Sequence, residues 1–366
     1  MKIVAYLLEY PIDLPGGAQM STESLCHGIL KDSEYKPVVI CPELLNKKET
    51  DYPFDIITYK MGNSRIQNLA IRILAFKKII NKLKPNIVHV QMPESLITYG
   101  LAFPGGNKNS KLIFTDRGMF YGYRKHSLIL MKFALKKAKV MLTTTELNKS
   151  LWEENTNIRP IKKVANTISE IFAKFIPEKK EHEGFVLGFA GRICEEKNWP
   201  LVNTICKKCA EAGIPIIADV VVSTFEEGDE FVVKNLVDGL IADLGADKVR
   251  LHQDFTQSEM AEYYYGIDVF VMTSRFESFG KAAVEAMSRK CAVVSTDVGG
   301  LKEVIGNTDD LYTEDTVDKC IDRIRQLYES KTLLKAEQEY FYNRYKENFS
   351  QEKCLIDHLA IYREID

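Results

Sequence analysis

No stretch of this 366-residue chain approaches about 18 consecutive apolar residues, so no helix of it is expected to span a bilayer. The start, MKIVAYLLEYP, carries one Lys and a short apolar run before Glu9 and Pro11. It lacks the long apolar core and small-residue cleavage site of a signal peptide and reads as a buried first strand, which predicts a cytoplasmic protein. Cysteine is sparse: eight residues, scattered and mostly within apolar runs. Cys206 and Cys209 form a CxxC inside a helical pattern, but no second Cys or His pair completes a zinc site, so both are expected to be buried thiols. GxGxxG is missing, and no Gly-Lys-Ser/Thr follows the early Gly16-Gly17 pair, which removes support for a dinucleotide or ATP site. A strand-end D-x-D that could hold Mg²⁺ is also missing, so neither a metal nor a cofactor is expected. No repeat or low-complexity tract breaks the pattern.

What is present is ordinary globular composition, 45% hydrophobic and 27% charged, in a chain long enough for two cores. The net charge of -2 conceals an asymmetry. Residues 1–165 carry 25 Lys and Arg against 14 Asp and Glu, net +11, which leaves the remainder with 24 against 37, net -13. A basic half suits anionic lipid headgroups or phosphate-bearing acceptors, or is simply a solvated surface; no nucleic-acid-binding motif accompanies it. Apolar strand-like runs (KIVAYLL, PVVIC, DIITY, NIVHV, KLIFT, KVMLTTT) alternate with amphipathic stretches, and the rhythm restarts after residue 184 with GFVLGFAG, PIIADVVV, VRLHQ, DVFVMTS and AVVSTDVGG. This is the signature of βαβ units on parallel sheets. The expected fold class is α/β: two Rossmann-like, doubly wound parallel-sheet domains facing a cleft, with a helical C-terminus. The boundaries predicted are residues 1–165 and 185–345, a linker near 166–184, and a helix over 346–366 that returns to the first domain.

Three segments could carry chemistry. In TSRFESFGKAAVE, a strand end runs through a loop into a helix that Gly280 allows to begin near Lys281, so free N–H groups and the helix dipole favour an anion such as a diphosphate. Glu277 lies in that loop and Glu285 inside the helix. Carboxylates beside a phosphate site fit ribose or sugar hydroxyls, or else Glu277 merely complements the dipole and Glu285 is a surface residue. In VLGFAGRICEEKNWP, Arg192 and Lys197 flank a helix start and could grip a diphosphate, although surface charges are an equal reading. In LLEYPIDLPGGAQMST, Gly16 and Gly17 join the first strand to the first helix, as a phosphate loop or a plain tight turn.

In this order and spacing the chain resembles the GT-B-fold retaining glycosyltransferases of the family 4 type. The resemblance rests on the E-x7-E pair Glu277 and Glu285, the ESFG turn, GRICEEK, DVGGLKE with Gly299, Gly300 and Glu303, the Gly16-Gly17 turn, and the Asn-containing segment VANTISEIF. It implies a UDP- or GDP-sugar donor and metal-independent chemistry, with Glu277, Arg192 and Lys197 catalytic. It places Gly16, Gly17, Ser278, Phe279, Gly280 and Glu285 on the donor, with Glu285 on the ribose and Glu277 near the transferred sugar. One departure stands out: where many members carry T-x-H after the fifth strand, KLIFTDRGMF has Asp116 and Arg117. Arg117 cannot act as a general base. Together with His89 in NIVHV, Asp116 and Arg117 are candidates for contact with the acceptor or the sugar, the other reading of His89 being that of a strand-end structural residue.

The implied function is retaining transfer of a sugar to a glycan or lipid-linked acceptor in polysaccharide or glycoconjugate biosynthesis. A lipid acceptor would suit a peripheral position on the inner face of the membrane, with Arg65, Arg72, Lys77, Arg124, Lys125 and Lys132 candidates for an anionic membrane surface. Two alternatives remain: a non-catalytic nucleotide-sugar-binding subunit, suggested by Arg117, and a sugar-nucleotide 2-epimerase.

Overall fold

The first apolar run forms β1 (Lys2–Leu7), whose residues Val4 to Leu7 are wholly buried on both faces. Burial on both faces is what a continuous rather than alternating apolar pattern dictates, and it requires helices on each side of a parallel sheet. The computed structural model describes residues 1–14, 16–31, 34–173, 179 and 182–365. These divide into two units, Met1–Ile168 with Gln351–Asp366, and Ser169–Ser350.

The first unit follows with α1 (Gly17–Ile29), β2 (Tyr35–Pro42), β3 (Asp55–Tyr59), α2 (Arg65–Leu83), β4 (Ile87–Val90), α3 (Pro93–Ala102), β5 (Lys111–Asp116), α4 (Lys125–Leu135), β6 (Ala138–Thr143), α5 (Glu146–Asn155) and β7 (Ile161–Lys163). Its seven strands are all parallel in the order β3-β2-β1-β4-β5-β6-β7, so the winding reverses between β1 and β4. The second unit runs α6 (Glu170–Ala173), β8 (Phe185–Arg192), α7 (Trp199–Glu211), β9 (Ile216–Ser223), α8 (Asp229–Leu244), β10 (Val249–Gln253), α9 (Gln257–Tyr263), β11 (Val269–Met272), α10 (Lys281–Ser288), β12 (Ala292–Thr296), α11 (Leu301–Ile305), β13 (Leu311–Tyr312), α12 (Val317–Glu329) and α13 (Lys331–Asn348). Its six parallel strands lie in the order β10-β9-β8-β11-β12-β13, reversing between β8 and β11. The last helix, α14 (Gln351–Ile365), belongs to the first unit. Its Leu359, Ile361 and Tyr362 enter the core shared by Val4 and Tyr6 of β1 and Leu25 and Ile29 of α1. Each aliphatic side chain buried this way contributes roughly 2 kcal/mol.

The two doubly wound sheets and the helical C-terminus are as the sequence predicts. The edge strands β7 and β13 and the five-residue α11 are too short for any periodicity to reveal. Of the segment expected to link the halves, residues 174–178, 180 and 181 lie outside the described residues. Cys206 and Cys209 are wholly buried, unpaired thiols. Among the described residues no helix is long and apolar enough to cross a membrane.

Candidate functional site

Adjacent strands whose connections diverge leave a crevice at their carboxyl ends, and in the second unit that place is the end of β8 and β11. Beyond β8 the chain makes a short 3-10 turn over Glu195–Lys197, closed by Asn198 in the left-handed region at φ 51°. The turn is bonded to its surroundings on three sides. Trp199 Nε1 donates to the Arg192 carbonyl at 2.9 Å, Thr273 Oγ1 to the Lys197 carbonyl at 2.8 Å, and the Arg275 amide to the Glu196 carbonyl at 2.8 Å. The last two bonds reach across from the loop after β11. That loop is in turn held from β12, where Thr296 Oγ1 donates to the Ser274 carbonyl at 2.8 Å.

With both backbones fixed, Lys197 Nζ donates to Glu277 Oε2 at 2.9 Å, each side chain being about four-fifths buried (19% and 18% exposed). The Gly300 amide donates to the Glu277 carbonyl at 3.0 Å. Gly280 then turns the chain at φ 98° and caps α10 without a side-chain hydrogen bond. Phe279 is buried, its ring edge-on to Phe349 at 5.6 Å, which anchors the loop by an aromatic contact. Ser278 is half-buried beside it.

Glu285 sits within α10 at 8% exposure and accepts from Tyr264 Oη at 3.3 Å. Burial raises its carboxyl to about 7, against the lowering influence of Lys281, the Tyr264 hydrogen bond and Lys197. Glu277 and Lys197 are therefore paired in the loops before α10, and Glu285, within α10 itself, is bonded to Tyr264 and feels the Lys197 charge. Arg192, at the end of β8, is exposed. Tyr264 was not foreseen in the sequence; the run EYYYGID places three tyrosines just before β11, and that density was the available signal.

In the first unit, Gly16 and Gly17 open α1, Gly16 in extended backbone at φ -175° that any residue adopts. His89 is wholly buried: its Nδ1 lies 2.7 Å from Tyr362 Oη and its Nε2 2.7 Å from Thr115 Oγ1. Burial, with His358 and Arg117 nearby, holds its pKa well below the ordinary value, so it stays neutral. Asp116 is also wholly buried, and its two oxygens accept from Trp152 Nε1 at 2.7 Å, Asn148 Nδ2 at 2.9 Å, the Gly118 amide at 3.0 Å and the Tyr123 hydroxyl. With those donors in place, Asp116 ties β5 to α5 and has no face turned to a ligand. Arg117 donates from Nε to Gln91 Oε1 at 2.9 Å and from its terminal nitrogens to Gln91 and Asn166. Those same acceptors take Thr22 Oγ1 at 3.1 Å and Ser21 Oγ at 2.9 Å, so Arg117 is linked to the first turns of α1. Burial lowers Arg117 to about 10, which leaves it charged near neutral pH.

Arg72, expected on a cationic surface, is instead buried at 8% exposure beside Glu9 and Glu94. Its neighbours on α2 explain this: Arg72 lies on the same inward face as Phe76 and Ile80. Among the described residues no three His, Cys, Asp or Glu side chains are grouped as metal ligands would be.

Two family models match the chain: glycosyl transferases group 1 over residues 171–347 and glycosyl transferase 4-like over residues 20–145. The sulfoquinovosyl transferase of Arabidopsis thaliana is 30% identical over 142 residues, covering 37% of this chain and 25% of that protein. The match thus spans about a quarter of that relative's length. Among solved structures, a glycosyltransferase from Rickettsia africae superposes with a TM-score of 0.80 at 19% identity, covering 100% of this chain and 98% of that one. The Anabaena protein HepE, solved with UDP, superposes with a TM-score of 0.79 at 14% identity over the full length of both chains. At these identities the likeness establishes the fold.

Proposed function

Because the chain belongs to the GT-B-fold glycosyl transferases of group 1, we propose that it moves a sugar, with retention, from a nucleotide-diphosphate sugar to a glycan or lipid-linked acceptor. The observation that carries this reading is the Lys197–Glu277 contact at 2.9 Å in front of the α10 N-terminus, with Glu285 buried behind it. An incoming diphosphate exchanges its own charge for that of Glu277 on Lys197, and the freed carboxylate then accepts hydroxyls of the transferred sugar. Arg192 and the amides from Ser278 to Gly280 complete the phosphate half, while Glu285 accepts the ribose hydroxyls. These fixed positive groups, rather than a divalent ion, meet the charge of the departing diphosphate in this scheme. The protein solved with UDP on the same fold supports a UDP-sugar as the first donor to try.

The second unit is the donor half in this proposal and the first unit the acceptor half. Support for a membrane-borne acceptor comes from α2 and α4, which expose Ile66, Leu74, Ile129 and Phe133 beside Arg65, Lys77, Arg124 and Lys125. Apolar groups interleaved with cations suit the interface of an anionic bilayer on the cytoplasmic side.

The test is product analysis with a panel of UDP- and GDP-sugars and added acceptor lipids or glycans. A glycosylated product of retained anomeric configuration supports the proposal. Donor binding without turnover favours a non-catalytic subunit, in which Arg117, locked to Gln91 and Asn166, has replaced a catalytic group. An epimer formed without acceptor would point to the epimerase.

A further inference from the structure

Among the described residues the Glu285 carboxylate accepts one hydrogen bond, from Tyr264 Oη to Oε2 at 3.3 Å, and Oε1 accepts none. The bond is long for O–H···O, a length common in binding sites before the ligand closes on them. Tyr264 opens the 3-10 turn that precedes β11 and so stands apart from the loops that carry Lys197 and Glu277. Its hydroxyl is nevertheless a fixed point. The side chain is wholly buried, its ring edge-on to Phe270 of β11 at 5.3 Å and to Tyr263 at 5.2 Å, and tilted against Phe172 of α6 at 6.2 Å. Its carbonyl accepts from Cys291 Sγ at 3.2 Å. The helix that carries Glu285 is fastened to the same aromatic ring. Arg289, four residues on, donates from Nη1 to the Phe172 carbonyl at 2.7 Å, and its guanidinium lies 5.0 Å from the Phe172 ring. Tyr264 and α10 are thus tied to α6 by separate contacts, and close packing leaves the phenol little room to swing away.

Burial, with the neighbouring Glu285 carboxylate, holds the Tyr264 hydroxyl well above its usual range, so it remains a donor. A donor of fixed position that engages one carboxylate oxygen restrains the rotation of the group and leaves the second oxygen to accept from a ligand diol. It also favours the charged form of Glu285, the form that accepts from both hydroxyls. The other charged groups acting on that carboxylate are Lys281 and Arg289 of α10 and Lys197 of the turn after β8. We propose that Tyr264 is a positioning residue for the donor: its hydroxyl holds Glu285 with Oε1 turned to the ribose. This assignment rests on the transfer reading above.

The test is Tyr264→Phe in the full chain, which keeps the ring and its packing and removes one oxygen. Calorimetric titration with the panel of UDP- and GDP-sugars, from about pH 5.5 to 8.5, reads donor affinity and the pH at which it strengthens. At pH 7 the donor is expected to bind about fivefold more weakly to the variant, the loss of roughly one hydrogen bond. The pH midpoint is expected to move upward, because Glu285 has lost a bond that favours its charged form. In the Glu285→Gln background the pH step is expected to be absent and Tyr264→Phe to weaken binding by less than about twofold. In turnover the loss is expected in KM, with kcat within about twofold of wild type. An unmoved midpoint, or the full fivefold loss in the Glu285→Gln background, assigns Tyr264 to the fold alone and overturns the proposal. The readout is donor binding, so a wild type that binds a nucleotide sugar without transferring it removes the transfer reading while a moved midpoint still supports Tyr264. A wild type that binds none of the panel overturns both.

Discussion

Gly299 lies so close beneath Glu277 that a β-carbon on it would sit 1.9 Å from the Glu277 carbonyl oxygen, and its own φ is +54°. The obstacle is backbone, which cannot swing aside as a flexible side chain would. Gly299→Ala must therefore displace the Glu277 loop as well as adopt a left-handed backbone, itself a cost of about 1–2 kcal/mol. The expected result is a thermal midpoint lowered by several degrees together with donor affinity reduced about tenfold or more. Unchanged donor affinity by calorimetry would show that the loop's position is not what the donor reads.

Lys197→Ala separates catalysis from stability. The ion pair with Glu277 is about four-fifths buried at each side chain, so removing Lys197 leaves Glu277 without its cation and is expected to cost about 1–3 kcal/mol. Loss of a cation that stabilises the leaving diphosphate, by contrast, is expected to lower turnover by about 10²–10³. The prediction is a melting curve lowered by only a few degrees beside a far larger loss of kcat. A variant with wild-type turnover removes Lys197 from the phosphate half.

The sheets and the second-unit site were legible in the sequence for one physical reason. Strands buried on both faces must be continuous apolar runs, and Gly280 after a strand end marks the start of a helix by local geometry alone. Glu277 and Lys197 could be named because each lies in such a strand-end loop, although their 2.9 Å contact depends on Thr273 and Arg275 binding the neighbouring turn across strands. What could not be read was burial of polar groups. Arg72 looks like any cation on an amphipathic helix, and Asp116 like a loop-end carboxylate. Their partners, Glu94 at a distance of 22 residues and Trp152 at 36, are set by tertiary packing.

Glu285 carries a pH signature. Its carboxyl is raised from 4.5 to about 7 by burial, so the folded chain holds a proton that the unfolded chain has already released. Between those pH values stability therefore falls as pH rises, by an amount on the order of 3 kcal/mol, and it is constant above about pH 8. Glu285→Gln is expected to remove that fall, so the variant should gain stability relative to wild type as pH is raised from 5 to 8 in denaturant titrations. Comparing the two proteins cancels the opposite contribution of His358, held down at about 4, which favours the fold as pH rises. If the carboxylate accepts ribose hydroxyls, wild-type donor affinity should strengthen as pH rises through 7, and this dependence should vanish in the variant. A parallel stability difference at all pH values would contradict the burial account.

Tyr362 joins the last helix to the first strand. Its hydroxyl lies 2.6 Å from Tyr6 Oη and 2.7 Å from His89 Nδ1, and none of the three side chains reaches solvent. Removing that one oxygen leaves two buried polar groups without a partner at about 1–3 kcal/mol each, partly offset by the desolvation no longer required of the hydroxyl itself. Tyr6→Phe takes away only one end of the chain of bonds, since Tyr362 keeps His89. Tyr362→Phe is therefore expected to destabilise the first unit by about 2–3 kcal/mol and Tyr6→Phe by about 1 kcal/mol. Urea unfolding followed by a probe in the first unit distinguishes them, and the double variant should fall short of the sum because the two residues share a bond. Equal effects, or full additivity, would mean that His89 does not depend on Tyr362 and that α14 is held by its apolar contacts alone.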